Sequence, residues 1–330
     1  MRCLKKTNLN QFGWVALSLV LFQLACFFLL YRHPHDSVNK PIILFPQDTN
    51  TQHKSSITTA AASSPPPKHR IRWLHIPKTG SGFGNVLVHW ACPDIEHRLW
   101  INETGVDPAL PPSCLAHFHQ HPNPRRNWPI GEHYSLDGQR SMNDEDLANV
   151  FTMVRFPPGR LASGFHYRTS YKWLGATEST ICEYTSTRAM AHYAKSSQTR
   201  MILGHPVSVG GDPAFIEKNK ILTPKDIETA CERLNKFAFV GITDYWKTSL
   251  CIFHHQLGGW GDVTEETVLR KREMLPNTRL AWCGDHVDGA LYECAMRRFL
   301  SWLELNATCR SLFFDEYIRW NREIETALHG

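Results

Sequence analysis

The chain has 330 residues, of which 42% are hydrophobic and 20% charged, and this is the composition of an ordinary globular protein. Its formal net charge of +5 suits an anionic ligand, but no long basic stripe occurs, so nucleic acid is not expected as a partner. The densest basic run, Arg270-Lys271-Arg272, is explained better by a solvated face than by a binding patch.

The first predicted element is a membrane-spanning helix over residues 12–31, which follows a cytoplasmic tail of residues 1–11. The run carries no charge, and at about 1.5 Å per residue it is long enough to cross a bilayer. Basic residues in the tail favour a cytoplasmic N-terminus. The bulky end of the run, Phe27–Tyr31, lacks a small-residue cleavage site, so an uncleaved signal-anchor is favoured over a cleaved signal peptide.

A stem and a luminal domain are predicted to follow the anchor. Residues 32–70 are rich in Ser, Thr and Pro and are expected to form a stiff linker, while residues 71–330 form the folded domain. Luminal placement agrees with glycosylation sequons at Asn102 and Asn306. It also agrees with eight cysteines after the anchor, an even number that predicts disulfide bonds in an oxidising compartment. The spacing of these cysteines leaves their pairing open.

Short apolar runs alternate with amphipathic segments along the domain, which predicts an α/β fold with a central parallel sheet and helices on both faces. Strands are predicted over 71–76, 149–154 and 237–241. Helices are predicted over 81–90, 158–171, 184–203, 224–236, 244–257, 286–304 and 313–328, with Asp244 as the cap of the helix that it begins.

The turn after the first strand has the composition of a phosphate-binding loop. It reads Ile76-Pro77-Lys78-Thr79-Gly80-Ser81-Gly82-Phe83, and a helix begins at its end. Backbone N–H groups in such a turn point at an anion, and the positive end of the helix lies behind it. The ATP-binding loop requires a Lys directly after its last Gly, whereas here Lys78 precedes the glycines. The loop therefore predicts phosphate binding but disfavours a kinase or NTPase.

A second anion site is predicted where the next strand ends. Arg155 follows the run Thr152–Val154, and Ser163 lies eight residues later on the helix that follows. A side chain at the carboxyl end of a strand points into the crevice where open α/β sheets bind ligands. Because Arg can fork onto a phosphate and a Ser hydroxyl can add a bond, the pair indicates a second phosphate contact.

Together these motifs resemble those of the sulfotransferases, and most closely the Golgi carbohydrate sulfotransferases related to the heparan sulfate 2-O and 6-O enzymes. The resemblance extends over roughly residues 71–257 and includes the segments 198–204 and 239–244. It implies a P-loop-type three-layer fold, with 3′-phosphoadenosine 5′-phosphosulfate (PAPS) as the sulfonate donor. Many relatives carry a second hydroxyl residue at the position of Gly82, which leaves more of the phosphate contact to backbone N–H groups.

The resemblance also implies which residues hold the donor. The 5′-phosphosulfate is assigned to Lys78, Thr79, Gly80, Ser81, Gly82 and Phe83, and the 3′-phosphate to Arg155 and Ser163. Sulfonate transfer needs a cation beside the bridging oxygen and a general base for the acceptor hydroxyl, but no metal. Lys78 is the expected cation. Gly131-Glu132-His133 resembles the segment that carries the base in the 2-O enzymes, which implies His133, with Glu132 as the alternative.

Several further residues are candidates for contacts with the acceptor. His117 and His119 alternate with His121, so on a strand they would share one face as a metal site or an acceptor-facing cluster, although nearby prolines favour a polar loop. His166 and Tyr167 follow Ser163 and are predicted to line the acceptor cleft, and Arg168 is a candidate for contact with acidic sugars. Ordinary solvated helix charge is the alternative for Arg168. His75, within the first strand, is predicted to be a satisfied buried residue.

The protein predicted from these features is a type II Golgi membrane protein that transfers sulfonate from PAPS to a hydroxyl group of a glycan or proteoglycan. Protein tyrosine and glycolipid are the alternative acceptors, and a non-catalytic glycan-binding relative is the alternative class. The motifs for PAPS do not encode the acceptor, the position sulfated or the oligomeric state.

Overall fold

A computed structural model of the protein describes residues 70–96, 98–102, 105–118, 144–168, 177–187, 194–205, 221–259 and 283–329. All of these residues belong to a compact unit that runs from Ala62 to Gly330. The predicted tail, membrane-spanning helix and most of the stem lie outside the described residues and stay predictions. Among the helices that are described, none is both long and apolar enough to cross a membrane.

The described elements are short strands separated by one or more helices, except that the second and third strands are adjacent in the chain. The strands are β1 (Arg72–Leu74), β2 (Ile101–Asn102), β3 (Gly105–Val106), β4 (Val150–Val154) and β5 (Phe239–Ile242). The helices are α1 (Phe83–Ala91), α2 (Pro112–Leu115), α3 (Asp144–Leu147), α4 (Pro157–Arg168), α5 (Glu178–Thr187), α6 (Ser197–Leu203), α7 (Pro224–Lys236), α8 (Trp246–Leu257), α9 (His286–Glu304) and α10 (Ala307–His329).

A small parallel sheet confirms the predicted α/β class. Its strand order is β1-β4-β5, with β4 in the centre, while β2 and β3 form a separate antiparallel pair. Phe151 of β4 pairs with Trp73 on one side and with Phe239 on the other. Every residue of β4 and β5 is buried, so both faces of these strands are covered, as apolar parallel strands require.

A cluster of aromatic rings attaches α1 to the sheet directly behind the predicted phosphate loop. The ring of Phe83, the first residue of α1, lies 5.3 Å from that of Phe239 and 5.3 Å from that of Phe253 on α8. All three side chains are fully buried, and burial of each stabilises the fold by about 2 kcal/mol. This packing fixes the position at which the loop enters the helix.

Four disulfide bonds confirm the predicted use of the cysteines. The pairs are Cys92–Cys114, Cys182–Cys283, Cys231–Cys294 and Cys251–Cys309. Two of them tie the last two helices to the rest of the domain, since Cys231 lies on α7 and Cys251 on α8. Together the four bonds use all eight cysteines that follow residue 31.

The structure overturns two of the predicted helix boundaries. The continuous helix expected over 184–203 is wrong, because α5 ends at Thr187 and Ser196 has a φ of 60°, in the left-handed region. The carboxylate of Asp285 accepts the N–H of Ser196 at 3.0 Å, which holds this residue outside the helix. A distant side chain therefore determines where α6 begins.

The expected capping role of Asp244 is also wrong. Helix α8 begins at Trp246, and the backbone N–H groups of Lys247 and Thr248 donate instead to the buried carboxylate of Glu316 on α10, at 3.1 and 2.9 Å. Glu316 thus satisfies donors that every helix start leaves open. Asp244 is consequently available for another partner.

Candidate functional site

Three chain segments converge at the carboxyl edge of the sheet, because the three strands are parallel. The segment after β1 is the predicted phosphate loop, the one after β4 begins with Arg155, and the one after β5 begins with Thr243 and Asp244. In open α/β sheets this edge is where ligands bind. The structure thus brings the two predicted anion-binding groups, Lys78 and Arg155, to one place.

The loop has a tight backbone that its own residues enforce. Lys78 and Gly80 both have positive φ, 67° and 102°. A Cβ atom on Gly80 would lie 2.9 Å from the indole ring of Trp246, so no other residue fits there. The hydroxyl of Thr79 donates to the carbonyl oxygen of Ile76 at 2.7 Å. These contacts hold the loop in one shape before any ligand arrives.

The loop also presents unused donors. The N–H groups of Phe83 and Gly84 donate to the carbonyl oxygens of Gly80 and Ser81, at 3.0 and 3.2 Å. Within the described residues, by contrast, the N–H groups of Gly80, Ser81 and Gly82 donate to no other group of the protein, and no side chain caps α1. Adjacent backbone donors at the start of a helix form an anion site. The loop therefore has the geometry that was predicted for it.

Two residues assigned to the donor by resemblance have structural places in the loop. The ring of Phe83 is fully buried in the aromatic cluster, and its N–H closes a turn onto Gly80. Thr79 is 2% exposed, and its carbonyl oxygen accepts the hydroxyl of Thr243. These two residues therefore contribute to anion binding through the shape of the loop.

Arg155 is connected both to the loop and to β5. Its Nη1 donates to the carbonyl oxygen of Lys78 at 3.2 Å, and its Nε lies 4.0 Å from the carboxylate of Asp244. Asp244 in turn accepts the N–H of Phe156 at 2.7 Å and the hydroxyl of Tyr292. Among the described residues, the Nε of Arg155 is buried and has no hydrogen-bond partner. A donor of this kind is available for a ligand.

Burial dominates the electrostatics of this pair. It lowers the pKa of Arg155 and raises the pKa of Asp244, because a low-dielectric surrounding disfavours both charged forms. The opposite charge of the partner counteracts each shift. An anion bound beside Arg155 would add a second favourable interaction with the guanidinium.

Gln198 fixes the backbone of Arg155. Its Oε1 accepts the N–H of Arg155 at 3.1 Å, and its Nε2 donates to the carbonyl oxygen of the same residue at 3.0 Å. The N–H of Gln198 donates to the buried carboxylate of Asp288 at 3.2 Å, which anchors the start of α6. This amide clamp is continuous with a fully buried ion pair, in which Nη2 of Arg160 lies 3.4 Å from Asp288.

One face of α4 lies along the two cations. A Cβ atom on Gly159 would lie 3.4 Å from the Nε of Arg155, and the ring of Tyr167 lies 4.3 Å from the Nζ of Lys78. Ser163 is four residues from each of them and so shares their face, with successive positions about 6 Å apart along the axis. On this face of α4, Ser163 therefore lies one turn after the position that approaches Arg155 and one turn before the residue that contacts Lys78.

The histidines have diverse positions. His75 is buried, as predicted; its ring stacks on Trp73 and its Nε2 lies 3.0 Å from the hydroxyl oxygen of Ser81. His166 is buried too, and burial lowers its pKa, which favours the neutral imidazole. His117 lies at the opposite end of β1, where its carbonyl oxygen accepts the N–H of Ile71 at 2.8 Å. The structure does not bring His117 to the loop.

Other predicted site residues lie outside the described part of the chain. They are His133, Glu132 and His119, together with the side chains of Arg168 and Asn102. Their roles stay predictions. Asn306 is described and buried, and its Oδ1 accepts the N–H of Cys309 at 3.0 Å at the start of α10. Within the described ranges, no cluster of three or more His, Cys, Asp or Glu side chains has the arrangement of a metal site.

Sequence reasoning missed the roles of Asp244 and Gln198. Asp244 directly follows the third strand, and that position alone places it at the same edge as Arg155. Gln198 begins the segment 198–204 that the resemblance includes, but the sequence does not indicate its partner, which is 43 residues away. Comparison of the chain with known protein families, with curated proteins and with solved structures finds no match.

Proposed function

We propose that the protein is a PAPS-dependent sulfotransferase with a P-loop-type three-layer fold, acting on a carbohydrate hydroxyl group in the Golgi lumen. One observation carries the proposal: the phosphate loop and Arg155 lie together at the carboxyl edge of the sheet, joined by the hydrogen bond from Arg155 to Lys78. A ligand that spans both must carry anionic groups at two points.

The residues present fit PAPS, which has phosphate groups at both ends of its ribose. The free N–H groups of Gly80, Ser81 and Gly82, with the ammonium of Lys78, suit the 5′-phosphosulfate. The Nε of Arg155, which has no hydrogen-bond partner among the described residues, and the hydroxyl of Ser163 suit the 3′-phosphate. A nucleoside triphosphate fits less well, because the loop has no Lys after its glycines.

When bound, PAPS supplies an activated sulfonate group. Transfer forms a bond from the acceptor oxygen to sulfur and breaks the bond from sulfur to the bridging oxygen, which leaves with the electron pair. Lys78 opposes the negative charge that builds on that oxygen. The proton of the acceptor hydroxyl passes to a general base, for which we propose His133, with Glu132 as the alternative.

The proposed compartment and the proposed acceptor rest on features outside the phosphate loop. Four disulfide bonds favour an oxidising compartment, in agreement with a signal-anchor at residues 12–31 and luminal sequons. The carbohydrate acceptor rests on the resemblance to carbohydrate sulfotransferases. We retain His119, His166 and Arg168 as proposed acceptor contacts, and His117 with them although it lies at the far end of β1.

Binding and transfer assays test the proposal. The full chain, produced in a secretory host, is titrated with 3′,5′-ADP in a calorimeter and then incubated with sulfur-35 PAPS and a panel of glycans, glycolipids and tyrosine peptides. We expect micromolar binding and label in a glycan. Lys78→Ala should abolish transfer, whereas Lys225→Ala, at an exposed lysine on α7, should not.

Other results of the binding and transfer assays would refute the proposal or favour one of its alternatives. No binding of 3′,5′-ADP would refute the sulfotransferase assignment. Binding without transfer to any member of the panel would favour a non-catalytic relative. Label in a peptide or a glycolipid would replace the carbohydrate by the alternative acceptor.

A further inference from the structure

The ammonium of Lys78 does not project freely from the loop. Its Nζ lies 4.3 Å from the centroid of the Tyr167 ring, within the range of about 6 Å over which an aromatic face attracts a cation. We propose that Tyr167 is a positioning residue for Lys78, whose ring holds the ammonium at the phosphate loop. The contact itself is independent of the ligand, but its role in sulfonate transfer rests on the function proposed above.

The loop fixes the backbone of Lys78, and the ring of Tyr167 contacts its side chain. Its φ of 67° and the hydrogen bond from Arg155 to its carbonyl oxygen define where the side chain begins. Beyond Cα, however, a lysine side chain is a flexible stem that ends in a compact ammonium group. Unlike the guanidinium of arginine, this group does not impose a fixed geometry on its contacts. The Tyr167 ring selects one direction for this stem.

The ring is well placed to act in this way, because α4 is anchored by a buried ion-pair cluster. Arg160, fully buried on that helix, lies 3.8 Å from Asp285 and 3.4 Å from Asp288, and its Nη2 donates to the carbonyl oxygen of Ala194 at 2.7 Å. One turn before Tyr167, Ser163 lies on the same face of α4. Tyr167 is therefore positioned by the helix that carries one of the proposed phosphate contacts.

An aromatic ring is chemically suited to hold a cation that must later face an anion. The face of the ring attracts the ammonium through its quadrupole but has no net charge. This contact therefore directs Lys78 without neutralising it, whereas a carboxylate in the same place would compete with the phosphosulfate.

A labelling experiment without any nucleotide tests the contact. The full chain and two variants, Tyr167→Phe and Tyr167→Leu, are treated with an amine-reactive acetylating reagent, and modification of Lys78 is followed by mass spectrometry relative to exposed Lys225. We expect Tyr167→Leu to increase the labelling rate of Lys78 by about 3-fold or more, because the ammonium is released. Tyr167→Phe keeps the ring and should stay within about 2-fold of the unmodified protein.

Tyr184→Leu is the matched control. Tyr184, on α5, packs against Phe165 of α4, the helix that carries Tyr167, but it does not contact Lys78. It should leave the labelling rate of Lys78 unchanged. Equal rates of Lys78 labelling in the Tyr167→Leu variant and the unmodified protein would overturn the proposal. So would an equal increase in the Tyr184→Leu variant, because loosening of α4 would then be the cause.

Turnover tests the consequence for catalysis. Tyr167→Leu should lower kcat for sulfonate transfer by about 5- to 30-fold, whereas affinity for 3′,5′-ADP should fall by a smaller factor, because Lys78 acts mainly on charge that develops in the transition state. Tyr167→Phe should restore kcat. In a Lys78→Met background, Tyr167→Leu should cause no further loss of affinity for 3′,5′-ADP, and an undiminished loss there would overturn the positioning role.

The two readouts separate this proposal from the function on which it rests. If the protein fails to bind 3′,5′-ADP while Tyr167→Leu still increases Lys78 labelling, the sulfotransferase assignment fails and the positioning of Lys78 stands. If transfer occurs but neither labelling nor kcat responds to Tyr167→Leu, the positioning role fails and the assignment stands.

Discussion

Arg155 and Lys78 are joined directly, because the Nη1 of Arg155 donates to the backbone carbonyl oxygen of Lys78 at 3.2 Å. The two residues are 77 positions apart in the chain and belong to segments after different strands. Arg155 therefore supports the shape of the phosphate loop in addition to offering its own donors. The two proposed phosphate contacts are structurally coupled.

We expect Arg155→Ala to weaken the binding of nucleotides at both contacts, but unequally. Affinity for 3′,5′-ADP should fall by about 100-fold, as loss of a charge-assisted phosphate contact predicts. Affinity for AMP, which lacks the 3′-phosphate, should fall by only about 5-fold through loss of support for the loop. Calorimetric titration of both ligands measures the difference. An equal loss for the two would assign Arg155 a purely structural role.

Gln198→Ala should destabilise the protein and weaken binding, although Gln198 has no predicted ligand contact. The change leaves the N–H and the carbonyl oxygen of Arg155 without their partners, which lowers the free energy of unfolding by about 1–3 kcal/mol. Urea unfolding measures stability, and titration with 3′,5′-ADP measures affinity. Gln256→Ala, at an exposed glutamine on α8, is the control. Unchanged affinity in Gln198→Ala would show that the clamp does not position Arg155.

Local signals account for the part of the fold that was predictable. Helix α7 begins and ends where the sequence predicts, because Pro224 follows Thr223, and Thr223 and Asp226 form a reciprocal capping box. The meeting of Lys78 and Arg155 was equally predictable, since parallel strands end at one edge of a sheet. Neither inference requires knowledge of distant contacts.

Features that depend on distant partners were not predictable. The break before α6 depends on Asp285, which is 89 residues from Ser196, and the start of α8 depends on Glu316, which is 68 residues from Thr248. In both cases a buried carboxylate satisfies backbone donors that local patterns assign to a helix or to a nearby cap. The same reason explains why the role of Gln198 escaped the sequence analysis.

The general base is the part of the mechanism that mutation can assign. His133→Ala should abolish sulfonate transfer while affinity for 3′,5′-ADP stays within about 2-fold, because a base contacts the acceptor and not the nucleotide. Transfer of sulfur-35 and calorimetry provide the two measurements. If His133→Ala retains activity and Glu132→Ala does not, the carboxylate is the base.

The buried cluster around Arg160 predicts a dependence of stability on pH. The pKa of Asp285 is raised to about 7, chiefly by burial and further by the Asp288 carboxylate, although Arg160 and two backbone N–H groups oppose the shift. Since the ordinary pKa is 3.8, protonated Asp285 stabilises the folded state, and this stability is lost as pH rises from about 4 through 7.

Asp285→Asn removes this titration and keeps a side chain that can accept hydrogen bonds. Relative to that variant, the free energy of unfolding of the unmodified protein should therefore fall by about 3 kcal/mol between pH 4 and pH 8. Urea unfolding at several pH values measures it. His286→Gln is the control, because His286 is an exposed neighbour of Asp285 in the chain. A difference between the two proteins that stays constant with pH would contradict the prediction.

Asn306 combines a helix cap with a predicted glycosylation sequon, and substitutions separate the two. Its Oδ1 accepts the N–H of Cys309, whereas a glycan would be attached through its nitrogen. Asn306→Ala should remove both functions and lower the free energy of unfolding by about 1 kcal/mol. Thr308→Ala destroys the sequon at an exposed position and keeps the cap, and Asn306→Asp does the same with a carboxylate acceptor.

Glycosidase-sensitive mobility measures occupancy, and urea unfolding of the deglycosylated proteins measures the cap. We expect Thr308→Ala to lose the mobility shift at this site with stability unchanged, and Asn306→Asp to remain within about 0.5 kcal/mol. If Thr308→Ala is destabilised as much as Asn306→Ala, the cap contributes nothing to stability. If the mobility shift survives in Thr308→Ala, the glycan lies elsewhere, with Asn102 as the remaining predicted acceptor.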